Sequence, residues 1–66
     1  MTRQYLFAFE DRHTARGFVV RLVKELYHLA IYIDDCHVIV IDGAEEERRE
    51  RILQLARVSS ARLLIK

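Results

Sequence analysis

Four consecutive residues, Asp34-Asp35-Cys36-His37, bring together two carboxylates, a thiol and an imidazole. Thiolate, imidazole and carboxylate are the ligand types of zinc, and a thiol beside an imidazole is the pairing of a cysteine nucleophile with its base. His13 and His28 are further potential ligands. Spacing argues against both chemistries. Neighbouring residues of an extended chain point to opposite faces, so Cys36 and His37 do not converge on one ion or form a dyad. A second acidic pair, Glu10-Asp11, reads as a strand end and a helix cap rather than as two acid–base carboxylates. His28 reads as a cation at the negative end of a helix. The expectation is no catalytic residue, no metal and no cofactor, and a protein that is not an enzyme.

A different chemistry is open to Tyr5, Phe7 and Phe9, which alternate and so share one strand face. Aromatic rings on the central strands of a sheet can stack RNA bases. The later stretch His37 to Asp42 carries no aromatic ring and no preceding Lys/Arg-Gly to match them. Eleven Lys and Arg against ten Asp and Glu leave a net charge of +1, too balanced to mark a nucleic-acid surface. A regulator that binds RNA or DNA through a sheet face is therefore the alternative reading, behind protein binding.

These residues must be held by elements that periodicity reveals. Gln4 to Glu10 is a strand with apolar residues on both faces. Arg12 to about Leu29 repeats Ala15, Phe18, Val19, Leu22, Val23, Leu26 and Leu29 at helical spacing, with Asp11 or Thr14 as its cap. Gly17 interrupts this helix and is read as a close approach of helix to sheet. Ala30 to Ile33 and Val38 to Ile41 are β-branched runs on either side of the acidic cluster, the pattern of a hairpin. The cluster lacks the glycine of a tight turn, so a four-residue loop is expected. With that even parity, Ile33 pairs with Val38, and Tyr32, His37, Ile39 and Ile41 share a face. After Asp42-Gly43 a second helix runs from Ala44 to about Ser59, burying Ile52, Leu55 and Ala56. Its acidic start, Glu45 to Glu47, suits the helix dipole, and Glu45–Arg49 and Glu47–Arg51 are candidate i,i+4 pairs. Ala61 to Lys66 is a last strand.

The order is βαββαβ with short connections, which predicts one domain over residues 1–66. Its fold class is α+β: a ferredoxin-like sandwich, with a four-stranded antiparallel sheet in order 4-1-3-2 and two helices on one face. Other proteins built this way carry signatures absent here. Where heavy-metal-associated domains have Cys-x-x-Cys after the first strand, this chain has Glu10-Asp11-Arg12-His13. It also lacks the glycine-rich first loop of ACT domains and the Arg-plus-Asn constellation of acylphosphatases. Fold alone assigns no function.

Two helices leave one sheet face bare, and 66 residues contain nothing further to cover it. A domain this small buries only roughly 60% of its unfolded surface and commonly relies on a staple or a partner. A single cysteine rules out an internal disulfide and fits a reducing compartment. Neither a secretion signal after Met1 nor an apolar run of about 20 residues is present, so the expected setting is cytoplasmic, away from membranes. Tyr32, Ile39, Ile41 and Leu64 are the predicted interface on the bare face. The resulting expectation is a small regulatory module that binds protein and forms a homodimer, of the inhibitor type carried by phages and mobile elements.

Overall fold

The structure, a computed structural model, describes residues 2–26, 29–43 and 46–65. Four strands and two helices follow one another as β1 (Thr2–Ala8), α1 (Arg12–Glu25), β2 (Ala30–Asp34), β3 (His37–Gly43), α2 (Glu46–Val58) and β4 (Arg62–Ile65). The strands form one open antiparallel sheet in the order β2-β3-β1-β4, the expected order read from the other edge. β1 and β3 are central, which explains why both are apolar on both faces.

The core lies on one side of this sheet. Tyr5 and Phe7 of β1 stand opposite Val40 and Val38 of β3, and all four are buried. Phe9, just past the end of β1, is buried with them and donates its backbone N–H to the Cys36 carbonyl at 2.8 Å. Ala15, Phe18 and Leu22 of α1 and Ile52, Leu55 and Ala56 of α2 complete the cluster. Phe18 is its hub, with its ring centroid 5.2 Å from those of both Phe7 and Phe9. The Phe7 contact is edge-on, a favoured aromatic geometry.

Several boundaries differ from expectation. α1 stops at Glu25: Leu26 is extended at φ −124° and ψ 135°, and its N–H closes the helix on the Leu22 carbonyl at 2.8 Å. Leu26 and Leu29 still pack on the core, so their spacing mimics a helix beyond its real end. Val23 belongs to the predicted buried stripe, yet it is 58% exposed, because it sits about 100° round the helix from Leu22. Gly17 is exposed, and a Cβ there would meet nothing within 4 Å, so no close approach to the sheet explains it. At the helix start Asp11 is the cap, accepting from the Thr14 N–H at 2.7 Å and the Thr14 hydroxyl at 2.9 Å.

The hairpin loop is two residues long, Asp35-Cys36, since Asp34 pairs with His37. Asp35 takes a left-handed φ of 55°. Aspartate tolerates this region well, so it fills a position that glycine would otherwise hold. Two and four residues share a parity, and Ile33 still faces Val38. α2 ends in a Schellman motif with Ser60 left-handed at φ 61°; Ala61 donates to the Ala56 carbonyl and Ser60 to that of Arg57. Arg51 turns away from the predicted Glu47 and donates to Glu25 of α1 at 2.6 Å, tying the helices together. Glu45, with its predicted pair to Arg49, and His28 lie outside the described residues.

Candidate interaction surface

Alternation along each strand sets the composition of the second sheet face. The inward row Tyr5, Phe7, Val38 and Val40 leaves Gln4, Leu6 and Ala8 of β1 and His37, Ile39 and Ile41 of β3 pointing outward. On β2 the outward residues are Ala30, Tyr32 and Asp34, opposite Ile41, Ile39 and His37. β4 pairs Arg62 with the outward Ala8 and Leu63 with the inward Phe7, and the register shifts just beyond, between Leu6 and Phe7. Leu64 lies at that shift, exposed, and Ile65 beyond it pairs with Leu6.

The open face is therefore banded across the strands. A middle band runs Tyr32, Ile39 and Leu6, with Leu64 at the register shift of β4. One end carries the polar row Asp34, His37, Ala8 and Arg62. The other end is Ala30, Ile41 and Gln4. Among the described residues no helix covers these bands, since both helices contribute their buried residues to the opposite side. Tyr32 is 60% and Leu64 46% exposed, while Ile39 and Ile41 are half-buried among their neighbours. Of the four predicted interface residues, Tyr32, Ile39 and Ile41 share one face with Leu6 between them, and Leu64 is exposed at the register shift of β4. The sequence left open which half of β1 faces outward; burial of its aromatic rings is what places Leu6 there.

That burial bears on base stacking. Tyr5 and Phe7 are 1% exposed, so the central strands present no ring to the open face, and Tyr32 on edge strand β2 is its one aromatic residue among the described residues.

In the acidic cluster, Asp34 and His37 lie on the open face and Asp35 and Cys36 form the turn. The Cys36 thiol donates to Asp35 Oδ2 at 3.3 Å, and that hydrogen bond, with burial and the carboxylate charge, raises its pKa above the usual 9.0. A thiol held protonated is a poor nucleophile and a poor ligand. Asp35 also accepts from Arg12 Nε at 3.3 Å. His37 points to the open face, while His13 stands in the first turn of α1. Among the described residues no group of three or more His, Cys, Asp or Glu is placed to hold a metal ion. A hollow of about 220 Å³ between α2 and β4, and one of about 270 Å³ beside Arg12 and Asp35, fall short of the ~300 Å³ where ligand pockets begin.

One polar feature was not anticipated from the sequence. Asp42, expected just before the second helix, is the inward-facing sixth residue of β3 and is buried, accepting from Arg48 Nε of α2 at 3.0 Å. Arg3 stands opposite it on β1 and reaches Glu46 at 3.6 Å. Asp42 continues the alternation of Val38 and Val40, and that parity is the signal that identifies it as inward.

Comparison with protein-family models, curated proteins and solved structures finds no match for this chain. Among the described residues no helix is long and apolar enough to cross a membrane.

Proposed function

We propose that this chain is a ferredoxin-like, non-enzymatic interaction module that works as a homodimer, its two open sheet faces packed on each other, and that it acts on its target by binding protein in the manner of a small regulator or inhibitor. The observation that carries this reading is the apolar band Tyr32, Ile39 and Leu6, with the exposed Leu64 at the register shift of β4, over which no helix lies among the described residues. Fully burying one such aliphatic or aromatic side chain is worth about 1.5–3 kcal/mol, so several together supply a real drive to associate. Contiguous apolar patches of a few hundred Å² mark interaction sites on soluble proteins. Nucleic-acid binding draws less support, because the central-strand rings that would stack bases are buried in the core.

Ile39 is the most incisive probe. It sits mid-band on a central strand and faces away from the helices, so Ile39→Glu hydrates its charge in a monomer but buries it in the dimer. Sedimentation equilibrium at micromolar concentration should give about twice the 7.8 kDa chain mass for the wild type and the single mass for the variant. Circular dichroism should show the variant still folded. A folded variant that remains dimeric would remove the open face from the interface, and a monomeric wild type would remove the dimer.

A further inference from the structure

Resting on that open-face dimer, we infer its symmetry: the two-fold axis runs parallel to the strands, so that β2 of each protomer lies across β4 of its partner and β3 across β1. Homodimers are built on a two-fold axis that makes one patch complementary to itself. For two sheets packed face to face with their strands roughly aligned, that axis lies between the sheets, either along the strands or across them. The pattern of the open face separates the two choices.

An axis across the strands lays each strand on its own copy and reverses its ends. Tyr32 then covers the partner's Tyr32, and Asp34 is carried over the end where Ala30, Ile41 and Gln4 lie. Asp34 would be set against uncharged surface. An axis along the strands keeps the ends together and exchanges the edges. Asp34 then faces the partner's Arg62, and symmetry makes the contact twice. Within the same row, His37 lies over the partner's Ala8, a large side chain over a small one. In the middle band, Ile39 meets the partner's Leu6, and Tyr32 lies over the partner's β4 near its register shift. Packed sheets stand about 10 Å apart, a gap that an arginine side chain reaching toward an aspartate can bridge.

The charges are also available. Asp34 and Arg62 are both exposed, and neither makes an ion pair within the chain among the described residues. Arg3, Arg12, Arg48, Arg49 and Arg51, in contrast, are each engaged by a carboxylate of their own chain.

The test is a charge exchange read by sedimentation equilibrium at low salt, with circular dichroism to verify folding. Asp34→Arg and Arg62→Asp should each weaken the dimer, raising Kd roughly tenfold, because each change sets like charges face to face twice. The double variant should return close to the wild-type Kd. Mixing the two single variants should give a heterodimer tighter than either homodimer, since one protomer then presents two cations at its edges and the other two anions. If the wild type is a dimer but neither the double variant nor the mixture recovers affinity, the axis is wrong and the dimer stands. If the wild type is monomeric throughout, the open-face reading falls and takes the axis with it.

Discussion

At the start of α1, Asp11 Oδ1 accepts from both the backbone N–H and the hydroxyl of Thr14. Those bonds favour the ionised carboxylate and, helped by nearby His13, hold its pKa below the usual 3.8. A carboxyl whose folded-state pKa is depressed contributes stability that is complete above its unfolded value and lost as pH falls through the folded one. The cap of α1 should therefore hold through neutral pH and fail only below about pH 3.8. Asp11→Ala should lower the thermal midpoint at neutral pH and converge on wild type in acid, where the cap is lost. Asp11→Asn retains an acceptor for Thr14, so at pH 7 it should lie close to wild type, and its stability should show a shallower acid limb. Thermal melts across pH 2–7 on the three proteins check this, and an Asn variant that melts like the Ala variant at pH 7 would remove the capping role. Such a cap is visible in sequence only as two candidates, Asp11 and Thr14; the choice needs the backbone, because the cap is the residue that stays extended, as Asp11 does at φ −146°.

Among the elements, α1 carries the clearest unused stability. Gly17 lies in the helix interior, exposed, with open space where a Cβ would go. Glycine in a helix costs about 1 kcal/mol relative to alanine, chiefly because it is freer in the unfolded chain. Gly17→Ala should therefore raise stability by about 1 kcal/mol in urea unfolding, a gain of roughly 4–8 °C in a domain of this size. A loss instead would mean that the helix packs on something at Gly17 in the assembled protein. Element type and order are legible in this chain because strand and helix periods are strong, and the paired apolar faces of Gln4–Glu10 and His37–Asp42 mark the central strands. Element ends are less legible. Leu26 and Leu29 keep the helical spacing while packing from a non-helical segment, and Asp35 stands in for the glycine by which a two-residue turn is usually recognised. Ion-pair partners are the least legible: Arg51 chooses Glu25, remote in sequence, because helix packing brings the two within 2.6 Å.

For the whole molecule, the proposed open-face association would link stability to concentration. Whatever binds the folded state alone stabilises it by mass action, and in the proposed dimer that ligand is a second copy. The thermal midpoint should rise steadily over a hundredfold increase in protein concentration, and that of Ile39→Glu should not; a wild-type midpoint independent of concentration would sink the dimer. The apolar character of this face is readable from sequence once two helices are assigned to the other side, and loop parity places Tyr32, Ile39 and Ile41 on it. Leu6 is not readable in this way, because both faces of its strand are apolar and only the packed aromatic rings separate them. The position of β1 between β3 and β4 also has a meaning for synthesis. The ribosome makes this central strand before either of its neighbours, and the residue that pairs with Ala8 on the β4 side, Arg62, arrives about fifty residues later. At roughly 5–20 residues per second, β1 waits several seconds with an unpaired edge. A nascent chain halted before Arg62 keeps that edge open beside Leu6 and Phe7, so interrupted translation yields a sticky fragment, which the cell must clear, in place of a shorter working protein.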